Sequence, residues 1–186
     1  MTTLTLAELE AGLSAILEAP RDAGVLEMIV RRPEVDAREV LEEGTLDLDE
    51  GLVGDNWKAK GSRKPPGSAA NPDMQLNLMG ARTIALVAGE RARWALAGDQ
   101  LYIDLDMSEE NLPPGTRLAI GEAIIEITAE PHTGCKKFAA RFGLDAMRFI
   151  NAPERRHLHL RGLNARIVQP GIIRRGDVAT KIPKTA

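Results

Sequence analysis

Glycine and proline divide this chain into short apolar segments, none longer than an ordinary strand or a short helix. The 186 residues include 17 glycines and 11 prolines. Turn signals such as Pro113-Pro114-Gly115, Pro170-Gly171 and Gly176-Asp177 separate segments rich in valine, isoleucine and threonine. This pattern is typical of short strands joined by turns. No apolar run approaches the ~20 residues of a transmembrane helix, so no membrane span is expected.

Apolar spacing also predicts a few helices. The N-terminal segment places Leu6, Leu9, Leu13 and Ile16 on one helical stripe, with a Thr5 capping box at its start. Further helices are predicted over 81–100, interrupted near Gly89, and in two short segments after residue 135, with Gly143 as a left-handed cap.

Short strands interleaved with short helices predict a mainly β fold with α insertions, namely a β-barrel flanked by short helices. The predicted organisation is an N-terminal helical extension over 1–20 and one barrel domain over 21–186. Hydrophobic residues make up 44% of the chain but aromatic residues only 3%. Core burial must therefore come mostly from aliphatic side chains.

Charge and composition exclude some classes of function. The net charge is −3 and only 3% of residues are aromatic, so neither a basic face nor stacking rings predict nucleic-acid binding. A single cysteine forms no internal disulfide, and the N-terminus lacks the basic and apolar regions of a secretory signal. A cytoplasmic protein is expected, without nucleic-acid or membrane partners.

The segment 58–73, with sequence KAKGSRKPPGSAANPD, is rich in glycine, proline, serine and basic residues. It predicts a surface loop. Its four cations, Lys58, Lys60, Arg63 and Lys64, leave open the alternative of a lid that binds an anion.

The only cysteine, Cys135, lies in ITAEPHTGCKKFAARFG, after a predicted strand and at the start of a predicted helix. A helix start and adjacent cations such as Lys136 and Lys137 lower the pKa of a thiol, which favours a reactive thiolate. The alternative is a buried cysteine with a packing role, since free cysteines are often buried. The pattern leaves both open.

Other polar clusters are less specific. His157 and His159 would share a face if they lay on a strand, but a third metal ligand is not evident, so the metal content is unknown. The C-terminal third is locally cationic, and two converging arginines there would bind a phosphate or another oxyanion.

Two segments of the chain resemble the MOSC domain, which is named for the C-terminal part of molybdenum-cofactor sulfurases. They are GDQLYIDLDMSEENLPPGTRLAIGEAIIEITAEPHTGCKKF and RGLNARIVQPGIIRRGDVA. The resemblance covers roughly residues 25–182 and implies the barrel-like fold of a stand-alone, bacterial-type member of that family.

The resemblance also implies a function in sulfur or molybdopterin chemistry. The family's lone cysteine, which carries sulfur as a persulfide or lies beside the cofactor, corresponds to Cys135, the predicted catalytic residue. A molybdopterin or molybdenum cofactor is therefore expected. Pyridoxal phosphate is not expected, because the chain has no room for a separate domain that binds it. The residues predicted to bind the cofactor are Asn111, His132, Gly134, Lys136, Arg161 and Arg166.

Whether the protein is an enzyme stays open, as a sulfurtransferase-like or a cofactor-dependent one. Its expected partners are a cysteine desulfurase or a molybdoenzyme, together with a small anionic ligand. The alternatives are a binding module without catalysis and a molybdenum-dependent reduction of N-hydroxylated compounds with a partner. The chain lacks the His-Gly-Gly stretch of many bacterial members and has Gly134 where many have proline.

Overall fold

The computed structural model describes residues 3–63, 66–134 and 136–183, with residues 62, 63 and 66 as backbone only. Within them the strands are β1 (Ala23–Arg31), β2 (Glu39–Leu41), β3 (Glu43–Asp47), β4 (Gly51–Leu52), β5 (Ser62–Arg63), β6 (Pro66–Ser68), β7 (Leu76–Gly80), β8 (Leu101–Ile103), β9 (Arg117–Ile120), β10 (Ala123–Ile127), β11 (Leu163–Gln169), β12 (Gly171–Arg174) and β13 (Val178–Ile182). The helices are α1 (Leu6–Ala11), α2 (Leu13–Leu17), α3 (Trp57–Lys60), α4 (Ala81–Ala88), α5 (Lys136–Phe142) and α6 (Leu144–Asn151), with 3₁₀ segments at Pro72–Met74, Arg91–Ala97 and Pro153–Leu158.

Seven strands close into a barrel. Their order is β13-β9-β10-β11-β7-β8-β1, and β1 pairs with β13 to complete the ring. β7 and β8 run parallel, and the other neighbours run antiparallel. β2 extends the sheet beyond β1, and β12, β3 and β4 form a smaller sheet. The predicted β-barrel flanked by short helices is thus confirmed.

Side chains alternate between the two faces of each strand, so the barrel wall separates two apolar cores. Leu76 and Leu78 of β7 belong to the barrel interior, whereas Met79 belongs to the outer cluster. The barrel core is built from aliphatic side chains and Met107. The buried aromatic side chains lie in the outer cluster, where the helices cover the barrel: Trp94, Tyr102, Phe138, Phe142 and Phe149.

The predicted N-terminal helix is interrupted once. The capping box of Thr5 and Glu8 is confirmed at the start of α1, but Gly12 separates α1 from α2. A Cβ atom at Gly12 would lie 2.4 Å from Leu86 Cδ1. The close approach of α4 therefore accounts for a glycine at this break.

The structure corrects two other local predictions. The segment 58–73 lies at the surface as predicted but is not a loop throughout, because it contains the end of α3, the paired strands β5 and β6 and most of a 3₁₀ segment capped by Asn71; Lys64 lies outside the described residues. Gly143 has φ +94° and ψ 162°, which is not the left-handed helical conformation, and it is the N-cap residue directly before α6. No helix in the described part of the chain is long and apolar enough to span a membrane.

Candidate functional site

Cys135 itself lies outside the described residues, so the candidate site is built from the groups on either side of it. Before it, Gly134 is held by the Asn151 side chain at the end of α6: the Gly134 N–H donates to Asn151 Oδ1 over 2.9 Å, and Asn151 Nδ2 donates to the Gly134 carbonyl oxygen over 3.3 Å. A Cβ atom at Gly134 would lie 2.8 Å from Ile150 Cδ1. Lys136, directly after Cys135, is exposed and begins α5. The backbone is thus held by side-chain hydrogen bonds directly before the cysteine and is helical directly after it.

Two of the predicted site residues meet at a buried carboxylate. Asp99 is inaccessible to solvent, and both its oxygens accept from Arg161 Nη1, over 2.7 and 2.8 Å. His132 Nε2 lies 3.4 Å from Asp99 Oδ1. The Arg161 guanidinium also lies 5.2 Å from the ring centroid of Phe138 in α5. The His132–Asp99–Arg161 cluster therefore packs under the helix that begins immediately after Cys135.

The His132 imidazole is neutral at physiological pH. Burial, followed by the charge of Arg161, lowers the pKa of His132 from 6.5 to about 3, against the opposing effect of Asp99. A hydrogen bond between the ring and the backbone of Leu163 also opposes this shift of the His132 pKa. His132 Nδ1 is buried and has no hydrogen-bond partner among the described residues.

A second polar network ties this region to the barrel. Arg32, just beyond β1, donates from Nε and Nη2 to the fully buried Asp55 carboxylate, each over 2.8 Å. Its Nη1 donates to Asn77 Oδ1 over 3.0 Å, and Asn77 Nδ2 donates to Asn164 Oδ1 over 2.6 Å. Asn164 in turn donates to the Glu130 carbonyl oxygen, two residues before His132. These bonds hold the connection that leads to Cys135 against β7 and β11.

Three arginines from distant parts of the chain converge on one short segment. The consecutive carbonyl oxygens of 96–98 accept, in order, from Arg141 over 2.7 Å, Arg161 over 3.3 Å and Arg32 over 2.9 Å. These carbonyls end the 3₁₀ segment Arg91–Ala97, and the last carbonyls of a helix carry partial negative charge that attracts cations.

Arg166 and Asn111 make other contacts. Arg166 lies two residues from Asn164 on the outer side of β11, and its guanidinium is engaged by Glu126 at 2.5 Å and Asp73 at 3.3 Å. Asn111 is 3% exposed; its Nδ2 donates to the carbonyl oxygens of Arg21 and Asp106, and its Oδ1 accepts from Lys181.

The structure thus brings His132 and Arg161 together and places Gly134 and Lys136 at either side of Cys135. Among the described residues it joins Asn111 and Arg166 to neither His132 nor Arg161. His157 and His159 lie in and just after a 3₁₀ segment and not on a strand. Over 3–63, 66–134 and 136–183, no group of three or more metal-ligating side chains is arranged to hold an ion.

The sequence did not point to Asp99 or Asn151, which organise this site. Asp99 follows Gly98 directly before β8, and a lone acidic residue at such a position resembles an ordinary turn residue. Asn151 precedes Ala152-Pro153 and resembles a helix-end residue. Only their long-range contacts in the folded structure distinguish Asp99 and Asn151 from ordinary turn and helix-end residues.

Comparisons with known proteins agree with this fold. The MOSC domain family model matches residues 69–180. The structure is similar to the YuaD protein from Bacillus subtilis, with 18% identity, a TM-score of 0.60 and coverage of 85% of this chain and 96% of that chain. It is also similar to YiiM from Escherichia coli, with 18% identity, a TM-score of 0.55 and coverage of 87% and 71%. A search of curated proteins finds no significant match.

Proposed function

Since the chain belongs to the MOSC domain family, we propose that it acts through the Cys135 thiol in sulfur or molybdenum-cofactor chemistry. In this proposal Cys135 carries sulfur as a persulfide or faces a bound molybdopterin. The observation that carries the proposal is the hydrogen-bonded backbone at Gly134 and the start of α5 at Lys136, beside the His132–Asp99–Arg161 cluster.

The surroundings of Cys135 favour a reactive thiol over a packing role. Thr133, Lys136 and Lys137 are exposed, and Gly134 is half-buried, so the described residues on either side of Cys135 lie at or near the surface. A thiolate is the nucleophile in sulfur transfer, and nearby cations lower the pKa of a thiol. Two lysines directly after the cysteine fit that requirement.

The proposed sulfur transfer requires no external oxidant or reductant. The Cys135 thiolate attacks the terminal sulfur of a persulfide on a donor protein, the donor's S–S bond breaks, and its thiolate leaves with the electron pair. Cys135 then holds the sulfur as a persulfide. A cysteine desulfurase is the class of donor that forms such a persulfide.

The described residues also fit an anionic cofactor. His132 Nδ1 is buried and has no hydrogen-bond partner among the described residues, and it would hydrogen-bond to a polar atom of the pterin ring. Arg161 and Arg166 are already engaged by carboxylates, so the phosphate needs another cation, and Arg38, whose buried Nε has no partner among the described residues, would supply it. When bound, molybdopterin would supply molybdenum redox chemistry, with a partner protein as the electron donor.

Alkylation of Cys135 tests the proposal, since no other cysteine competes. The alkylated fraction of the native protein is measured by intact mass between pH 5 and 9. We expect alkylation with an apparent thiol pKa below the ordinary value of about 8.5. Alkylation only after denaturation would exclude sulfur transfer.

Metal and pterin content distinguishes the two roles of the thiol. Wild type and Cys135→Ser are purified from molybdenum-replete cells and assayed for molybdenum and pterin. Pterin and molybdenum in the wild type and a large loss in Cys135→Ser would support a cofactor-facing cysteine. Equal molybdenum and pterin content in both proteins would favour a binding module in which Cys135 makes no essential contact with the cofactor. Any reduction of N-hydroxylated substrates would then have to proceed without the Cys135 thiol.

A further inference from the structure

Arg38 is a cation without a matching anion. It lies in the connection between β1 and β2, and its Nη1 donates to the neighbouring carbonyl oxygen of Ala37. Its Nε is buried and has no hydrogen-bond partner among the described residues. Those residues include every aspartate and glutamate of the chain, and none of them forms an ion pair with Arg38. A half-buried guanidinium in this state is costly unless a ligand satisfies it.

A second guanidinium borders the same space. A Cβ atom at Gly98 would lie 3.1 Å from Arg38 Nη2 and 3.8 Å from Arg141 Nη1. Arg38 Nη2 and Arg141 Nη1 are therefore no more than about 7 Å apart, a distance at which like charges repel. Burial, then Arg141 and then Arg32 lower the pKa of Arg38. Both guanidinium groups thus approach the Gly98 backbone, and a Cβ atom there would be a tight contact with Arg38.

Protein carboxylates do not balance the charge of this region. Asp55 neutralises Arg32 and Asp99 neutralises Arg161, both in buried pairs. The remaining cations are Arg38, Arg141 and Lys137, and the last two share a single oxygen of Asp36, over 2.8 and 2.9 Å. Three cations thus face one carboxylate, which leaves two positive charges uncompensated.

We propose that Arg38 and Arg141, with Lys137, form a binding site for a phosphate group at the surface beside Gly98. A phosphate monoester carries about two negative charges at neutral pH, which matches the uncompensated charge. Guanidinium groups bind phosphate oxygens through paired N–H donors. The side chains of Lys137 and Arg141 are 54% and 21% exposed, so solvent reaches the site.

This inference deepens the proposed function by naming the cations that hold the anionic ligand. They are not Arg161 and Arg166, whose guanidinium groups are engaged by carboxylates. The site itself rests on the arginines alone. That its occupant is the phosphate of a larger ligand bound near Cys135 rests on the proposed function.

Titration with inorganic phosphate tests the site. Binding is measured by calorimetry and by the shift in Tm, at constant ionic strength with chloride as the comparison anion. We expect phosphate to bind and to raise Tm in the wild type, and Arg38→Gln to weaken binding about tenfold or more. Arg166→Gln is the matched control and should bind as the wild type does. Absence of phosphate binding, or unchanged binding in Arg38→Gln, would overturn the proposal.

Arg38→Gln has a second expected effect, which separates a ligand site from a structural role. Without phosphate, the variant should be at least as stable as the wild type, because it removes an uncompensated charge. A marked loss of Tm in phosphate-free buffer would show that Arg38 stabilises the fold and would overturn the proposal.

Two further experiments distinguish the source of the phosphate and separate the phosphate site from the proposed thiol chemistry of Cys135. Protein purified without phosphate is denatured, and the released material is analysed for organic phosphate. Organic phosphate released from the wild type but not from Arg38→Gln identifies a phosphorylated ligand. If neither protein releases organic phosphate but the wild type still binds titrated phosphate, the ligand is free phosphate. Cys135→Ser should bind phosphate as the wild type does. That result would preserve the anion site even if Cys135 failed every test of thiol chemistry.

Discussion

His132 should make the stability of this protein depend on pH in a range where few other groups titrate. Burial and Arg161 lower the pKa of His132 from 6.5 to about 3 in the folded state. Below pH 6.5 the unfolded chain therefore binds a proton that the folded protein does not bind. Stability is complete above this pH and falls as the pH is lowered, by about 1.4 kcal/mol per unit. Between pH 7.5 and 5.0 the expected loss is about 2 kcal/mol.

The carboxylates that also affect stability titrate lower. Ion pairs and hydrogen bonds lower the pKa values of Glu8, Asp36, Asp47 and Glu126 from ordinary values of 4.5 or 3.8. A carboxylate with a depressed pKa contributes stability above its unfolded value and loses it only as the pH falls below that value. The window from pH 7.5 to 5.0 thus isolates the histidine.

Urea unfolding at several pH values measures the effect. The wild type should lose about 2 kcal/mol across the window, and His132→Gln should lose clearly less, because glutamine does not titrate. His157→Gln, at an exposed histidine, is the matched control and should keep the slope of the wild type. An identical slope in the wild type and in His132→Gln would refute the account of the buried neutral imidazole.

Two substitutions test the packing around the site. Asp99→Asn leaves the buried Arg161 without a charged partner and should cost about 3–5 kcal/mol in urea unfolding at neutral pH, so a cost below about 1 kcal/mol would contradict the buried ion pair. Gly162→Ala should abolish folding, as seen by circular dichroism, since φ is +103° and a Cβ atom there would lie 1.8 Å from the Leu78 carbonyl oxygen. Gly115→Ala, with φ +85° and no atom within 4 Å of its Cβ, is the control and should cost only about 1 kcal/mol.

The barrel could be predicted because its determinants are local. Turn residues mark the ends of β9 and β10, and alternation along β7 assigns Leu76 and Leu78 to one core and Met79 to the other. The break at Gly12 could not be predicted in the same way. It depends on Leu86, a residue 74 positions later that packs against it.

The candidate site was less predictable because charge alone does not show which cations are free. The resemblance assigned Arg161 and Arg166 to the site and did not point to Arg38, yet Arg161 and Arg166 have carboxylate partners that are distant in the chain. Asn111, which the resemblance assigned to the site, hydrogen-bonds to Arg21, Asp106 and Lys181 instead. These side chains find their partners only when the folded barrel brings distant parts of the chain together.

The intact mass of the protein after incubation with a cysteine desulfurase and cysteine tests the central claim most directly. Wild type and Cys135→Ala are compared before and after treatment with a reductant. The account predicts that the wild type gains one sulfur atom, that reductant removes it, and that Cys135→Ala gains none. A wild type that gains no sulfur while the donor is fully persulfidated would contradict sulfur carriage by Cys135.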